Sequence, residues 1–225
     1  MAIQQQIQKI RGIADIVFCI DFSGSMENCI NGVKNHITTF VHSLEKSNTN
    51  VAIDWRIGFL GFSDKEFIQY SLKKDAYDFA DQLTKATVDG YDEFTSGAID
   101  YCISGFEWRP VSNKFLLLFT DESLESGSFV TESINLFPQL ITKIADSRIH
   151  FLFFGPECLY YNQFETISRS IRYKIEDSFA SVDFSSLMQS LGKTVSQSCQ
   201  NQSDSALADN VFLFDLSSIH VNKVF

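Results

Sequence analysis

A chain of 225 residues with 44% hydrophobic and 20% charged side chains is long enough to bury one sizeable core. Its 18 basic against 28 acidic residues leave a net charge of −10, which repels a phosphate backbone and argues against nucleic acid as a partner. No run of about 18 apolar residues occurs, and the opening Met1–Gly12 lacks the basic-then-apolar pattern of a secretory leader, so neither a membrane partner nor secretion is expected.

Short apolar runs alternate with longer amphipathic ones, the pattern of a parallel sheet covered by helices on both faces. The expected fold is α/β, Rossmann-like and doubly wound, with about six strands, mostly parallel, and one antiparallel edge. Residues 1–13 are read as an N-terminal extension, 14–199 as the domain, and 200–225 as a linker and tail. In the extension, Ile3, Ile7 and Ile10 carry an ambiguous spacing.

The first strand runs from Asp15 to Ile20, almost continuously apolar, and stops at Asp21. After the Ser-Gly-Ser turn, Ile30, Val33, Ile37, Phe40, Val41 and Leu44 recur at helical spacing and predict a helix over 26–45. Val51 to Phe62, followed by Phe67, Ile68 and Tyr70, predicts two strands joined by a turn at 61–64, the antiparallel edge. Weaker helical patterns cover 75–85 and 96–106. Phe115–Phe119 is a strong strand ending at Thr120-Asp121, and the next helix is expected to start near Pro138, because proline is tolerated in a first turn but not inside a helix. Ile149–Phe154 is another strand. Asp183 is expected to cap a last helix whose apolar face is Phe184, Leu187, Met188, Leu191 and Val195. Gln200 to Ala208 reads as linker, and Val211–Phe214 as an edge strand or a partner-docking segment.

The five cysteines, Cys19, Cys29, Cys102, Cys158 and Cys199, are widely spaced, odd in number and lack a C-x-x-C pair. They fit a reducing cytoplasm, and Cys19 reads as a core residue. The basic clusters Lys73-Lys74 and Arg169 with Arg172 and Lys174 read as solvated faces.

Three oxygen-bearing segments fall where an open parallel sheet places its ligand crevice. Asp21-Phe22-Ser23-Gly24-Ser25 follows the first strand, Thr95 opens a helix after an irregular loop, and Asp121 ends the strand at 115–119. Each alone has an ordinary explanation, as a helix cap, a turn or a helix start. Together they suit a hard cation such as Mg²⁺, with Mn²⁺ or Ca²⁺ as alternatives, because such ions take oxygen ligands and keep several waters. Ser23 and Ser25 are expected as direct ligands, Thr95 as a direct or water-bridged one, and Asp21 and Asp121 mainly as acceptors for metal-bound water. An ion held mostly by neutral oxygens stays electrophilic toward an incoming carboxylate.

The segments Ile20-Asp21-Phe22-Ser23-Gly24-Ser25-Met26, Thr95-Ser96-Gly97-Ala98-Ile99 and Leu118-Phe119-Thr120-Asp121 resemble the three parts of the metal-ion-dependent adhesion site (MIDAS) of the von Willebrand factor type A domain family. The resemblance covers roughly residues 14–199. It implies a Rossmann-like domain, a bound Mg²⁺ or Mn²⁺, and recognition of a protein partner whose acidic side chain completes the coordination. Small single-domain members of the family act beside ATPases, kinases or phosphatases, so an accessory or regulatory subunit is expected by analogy. Two departures stand out: Gly90-Tyr91-Asp92-Glu93-Phe94 replaces a glycine-rich loop, and Glu122 replaces a glycine, so Asp92, Glu93 and Glu122 could crowd negative charge around the cation.

Catalysis is not expected. A haloacid-dehalogenase-type phosphatase needs a second acid two residues after its nucleophile, and that position holds Ser23. The serines do not form a G-x-S-x-G elbow, and no phosphate-cradling G-x-x-x-x-G-K-[ST] or H-E-x-x-H occurs. His36, His42, His150 and His220 are scattered, and His150 reads as structural. The competing reading is a metal-independent scaffold that binds through an aromatic surface or the C-terminal tail.

Overall fold

The computed structural model describes residues 9–46, 51–87, 92–204 and 222–223. Strand β1 (Lys9–Asp21) leads through a 3-10 turn (Gly24–Met26) into helix α1 (Glu27–Lys46), and a hairpin of β2 (Val51–Ser63) and β3 (Glu66–Lys73) follows. Helices α2 (Ala76–Lys85) and α3 (Thr95–Gly105) precede β4 (Asn113–Phe119), α4 (Val130–Asp146) and β5 (Ile149–Gly155). A second 3-10 turn (Tyr161–Thr166), β6 (Ser170–Lys174), α5 (Phe184–Asp204) and a two-residue β7 (Asn222–Lys223) complete the order.

The sheet runs β3-β2-β1-β4-β5-β6-β7. Strands β2, β1, β4, β5 and β6 are parallel, while β3 and β7 are antiparallel edges. The sheet is therefore the expected doubly wound one, with a second short antiparallel edge. From β1 the chain winds outward through β2 and β3, then returns to lay β4 on the other side of β1, with Ile20 opposite Phe119. That reversal is the topological switch point, where the ends of two adjacent parallel strands part and leave a crevice. Asp21 and Asp121 stand at its two lips.

The alternation of side chains along a strand decides which helices cover which face. Ile16, Phe18, Ile20, Phe115, Leu117 and Phe119 point to the face covered by α1, α2 and α5. Val17, Cys19, Leu116 and Leu118 point to the face covered by α3, α4 and the second 3-10 turn. Burial on both sides explains why these strands read as continuous apolar runs. Helices α1 and α5 pack closely because Gly192 has no side chain: a Cβ there would lie 2.2 Å from the Phe40 carbonyl oxygen.

Asp75 accepts from the amides of Tyr77 and Asp78 and so caps α2. Asp183 accepts from the Ser186 amide at 3.1 Å and the Ser186 hydroxyl at 2.7 Å, the expected start of α5. Four expectations are corrected. Helix α4 starts at Val130, so Pro138 lies inside it. Pro138 is on the exposed face, where the carbonyl it leaves without a donor can be hydrated, while Phe137, Leu140 and Ile144 bury the other face. Strand β6 was not foreseen, and its Arg172 is no solvated residue but a buried one, bonded to Glu165 at 3.2 Å. Helix α5 continues to Asp204 through the start of the expected linker. Strand β1 starts at Lys9, ahead of the apolar run. The segment Val211–Phe214 and residues Ile3 and Ile7 lie outside the described residues.

At the opposite end of the sheet from the crevice, fully buried Asp15 collects five hydrogen bonds. Arg56 donates from Nε and Nη2 at 2.9 Å each, Arg109 from its amide at 2.7 Å and its Nε at 2.9 Å, and Ser112 from its hydroxyl at 2.9 Å. Arg109 also reaches Asp54 Oδ2 at 2.5 Å and the Asp54 carbonyl at 3.0 Å, which ties β1, β2 and the chain after α3 together.

Candidate metal centre

Asp21 ends β1 fully buried, and the turn that follows folds back onto it. The Ser23 amide donates to Asp21 Oδ1 at 2.7 Å, and the Thr120 hydroxyl donates to Oδ2 at 3.0 Å. Both carboxylate oxygens are thus aimed. Gly24 has nothing within 4 Å of a built Cβ, so the turn is not held open by crowding there.

The Ser23 and Ser25 hydroxyl oxygens are 3.1 Å apart, and the Ser25 hydroxyl donates to Asp121 Oδ1 at 3.1 Å. One hydrogen-bonded set therefore joins Asp21, Ser23, Ser25 and Asp121 across the crevice between β1 and β4. Thr95, the first residue of α3, is buried and is not bonded to that set. Its placement depends on Gly97, because a Cβ at 97 would meet the Phe94 ring at 2.1 Å. Without that side chain, the Phe94 ring lies on the first turn of α3, tilted against Phe129 at 5.6 Å. The Ser96 hydroxyl donates to the Ser133 carbonyl at 3.3 Å and ties α3 to α4.

Two residues join the site that the sequence did not single out. Thr120 bonds Asp21 and accepts from the Glu122 amide at 3.3 Å; its signal was a hydroxyl residue directly before Asp121. Tyr161 comes from the second 3-10 turn and donates from its hydroxyl to the Glu122 carbonyl at 3.1 Å, next to Asp121, and no local pattern marks it.

Of the acids at 92, 93 and 122, Asp92 and Glu122 have close neighbours in the loop at 122–128. Asp92 accepts from the amide of Ser128 at 3.2 Å and from its hydroxyl. Asp92 and Glu122 close on Gly127, at φ +80, where a Cβ would lie 3.1 Å from each carboxylate. The backbone of Glu93 forms a β-bridge with Asp64 in the turn between β2 and β3, and the Asp64 side chain accepts from the Asp92 amide at 2.8 Å. Asp92 thus fastens the loop before Thr95 both to that turn and, through Ser128, to the loop after Asp121.

Burial pushes the Asp21 carboxyl up to about 7; hydrogen bonds from Ser23 and Thr120 pull it back, and the charge of Asp121 adds to the rise. Burial raises Glu122 as well, with Asp92 contributing. Among the described residues, no lysine, arginine or histidine forms an ion pair with Asp21 or Asp121. Nor do the described residues hold a cluster of three or more His, Cys, Asp or Glu side chains suited to a metal. The donors here are two carboxylates and three hydroxyls, an oxygen set that fits a hard divalent cation and lacks the counter-charge one would bring.

Several solved structures share the fold. Proximal thread matrix protein 1 from the mussel byssus aligns with a TM-score of 0.58 at 16% identity, covering 84% of this chain and 48% of that one. The same mussel protein with a zinc-occupied MIDAS motif aligns at 0.58 and 17% identity, over 86% of this chain and 47% of that one. A von Willebrand factor type A structure from Catenulispora acidiphila aligns at 0.59 and 11% identity, over 82% of this chain and 43% of that one. The chain thus spans less than half the length of each of these structures. No curated protein matches. The family profile of the von Willebrand factor type A domain matches residues 15–193. With that match over most of its length, the chain belongs to the von Willebrand factor type A domain family.

Proposed function

We propose that the chain is a non-catalytic interaction module that holds one divalent cation, Mg²⁺ by preference, and uses it to bind a protein partner. Ser23 and Ser25 would ligate directly, Thr95 directly or through water, and Asp21 and Asp121 would accept from the cation's waters. Bound there, the ion supplies Lewis acidity toward a partner's carboxylate.

The observation that carries this is the bonded set of Asp21, Ser23, Ser25 and Asp121 at the switch point, with two carboxylates that form no ion pair with a cationic side chain among the described residues. Ser23 and Ser25 already sit 3.1 Å apart, and Asp21 is held from behind by the Ser23 amide and Thr120. Ser23 also occupies the position where a phosphatase would place its second acid, which favours binding over hydrolysis. That a mussel relative of the same fold takes zinc in its MIDAS motif supports a divalent ion at this crevice. The partner we propose is a subunit of an ATPase, kinase or phosphatase assembly in the cytoplasm, which suits a chain whose five cysteines are free and buried.

The test is capture of partners from native lysate, with and without chelator, by the wild type and by Asp21→Ala/Ser23→Ala. The same proteins should be retained by the wild type with Mg²⁺ and lost on chelation or in the variant. Equal recovery in all arms would replace the cation-dependent binder with a metal-independent scaffold.

A further inference from the structure

Phe94 precedes α3 without a side-chain hydrogen bond to it, so no side-chain cap fixes where the helix that carries Thr95 starts. The end of β2 fixes it instead. Ser63 and Glu66 pair across the β2–β3 hairpin, which leaves Asp64 and Lys65 as its turn. The Asp64 amide donates to the Asp92 carbonyl, the Phe94 amide donates to the Asp64 carbonyl at 3.2 Å, and the Asp92 amide donates to Asp64 Oδ1 at 2.8 Å. Three bonds to one residue thus hold the backbone of 92–94 beside the turn. Lys65 closes over the same place: its Nζ lies 5.6 Å from the centre of the Phe94 ring and 4.9 Å from that of Phe129, and it pairs with Glu132 at 3.1 Å.

The same strand end also sets the other part of the site. Phe62 lies opposite Asp21 in the parallel register, and its carbonyl accepts from the Phe22 amide at 2.8 Å. Asp64 stands two residues further on, so the turn after Asp21 and the loop before Thr95 are both placed from β2. Asp64 has a φ of 46°, in the left-handed region that aspartate and asparagine enter more readily than most side chains. One residue type therefore suits the backbone of the turn and supplies the acceptor for the Asp92 amide.

Building on the cation site proposed above, we propose that Asp64 is a positioning residue for Thr95: it fastens the loop before α3 to the end of β2 and so fixes the Thr95 hydroxyl relative to the Asp21 turn. It lies outside all three sequence segments of the site.

The test joins Mn²⁺ affinity of the full chain, followed by the paramagnetic resonance of free Mn²⁺, to amide hydrogen exchange of the cation-free protein. Asp64→Gly keeps the left-handed backbone and removes the acceptor. It should weaken Mn²⁺ binding about tenfold, the low end of what partners that orient a ligand contribute. It should also speed exchange over residues 92–98 about fivefold, the worth of one hydrogen bond, and leave 22–26 as in the wild type. Asp64→Asn keeps both the backbone preference and the acceptor, and should bind within about twofold of the wild type. Unchanged affinity in Asp64→Gly overturns the proposal, and so does unchanged exchange over 92–98. An equal loss of affinity in Asp64→Asn overturns it too, by making the effect one of charge, as does faster exchange at 22–26, by making it a general loosening of the fold. A wild type that takes up no Mn²⁺ overturns the cation site and the positioning role with it, a failure the exchange measurement tells apart from a loop that Asp64 does not hold.

Discussion

Asp21→Asn is expected to stabilise the cation-free protein while removing its response to Mg²⁺. The Asp21 carboxyl is pushed from 3.8 up to about 7, mainly by burial. A folded-state value above the unfolded one means that the fold prefers the neutral acid. The stability this gives is full below pH 3.8 and is lost as pH rises toward about 7. At pH 8 the wild type without cation therefore carries a buried carboxylate that opposes folding. At 1.36 kcal/mol for each unit, the asparagine variant should gain on the order of 2–4 kcal/mol, or roughly 4–16 °C in midpoint for a domain of this size. An asparagine oxygen can still accept from the Ser23 amide, and the Thr120 hydroxyl can rotate to accept from its NH₂. Mg²⁺ at a hundredfold excess over its dissociation constant should add roughly 2.7 kcal/mol to the wild type and nothing to the variant. Thermal melts of both proteins across pH, with chelator or Mg²⁺, check this. Equal responses to Mg²⁺, or parallel pH profiles without it, would show that Asp21 is not poised for a cation.

The second large effect is at the other end of β1. Asp15→Asn should cost about 3 kcal/mol, at the low end of what breaking a buried pair costs, because Arg56 and Arg109 keep 24% and 23% of their side chains exposed. Burial would raise the Asp15 carboxyl, but the hydrogen bonds from Arg56, Arg109 and Ser112 outweigh it and hold the group below its ordinary value. The sign is opposite to that of Asp21. Asp15 contributes stability above pH 3.8, and that contribution is lost as pH falls through its lower folded value. The variant should melt roughly 6–12 °C lower at neutral pH and lose less of its stability on acidification. Its Mg²⁺ response should persist, because six residues of strand put the network roughly 20 Å from Asp21. A lost Mg²⁺ response would show that the two ends of β1 are coupled.

Burial and capping explain what was legible. Where β1, β4 and β5 are covered on both faces their sequences are continuously apolar, and their carboxyl ends are sharp. Asp183 announces its helix because a carboxylate before an apolar stripe has one common use. The four residues joined across the crevice were legible because two of the three segments end adjacent strands, and adjacency follows from the switch in strand order. Strand β6 was hidden because Ser-Ile-Arg-Tyr-Lys is half polar and its central arginine is buried only through a partner, Glu165, that lies outside the strand. The start of α4 was hidden because Phe129 caps it without a side-chain bond, and Pro138 then drew the boundary too late. The roles of Asp92 and Glu122 depend on loops meeting at Gly127, and that of Tyr161 on a turn whose hydroxyl reaches the Glu122 carbonyl. No local pattern encodes either meeting.

The central claim is that Asp21, Ser23, Ser25, Thr95 and Asp121 together hold one divalent cation, and calorimetric titration of Mg²⁺ into the wild type and into Asp21→Ala/Ser23→Ala tests it most directly. The wild type should bind one Mg²⁺ per chain, displaceable by Mn²⁺, and the double variant should show no saturable binding. Saturable binding of the same stoichiometry and affinity in both proteins would place the ion elsewhere and contradict the assignment.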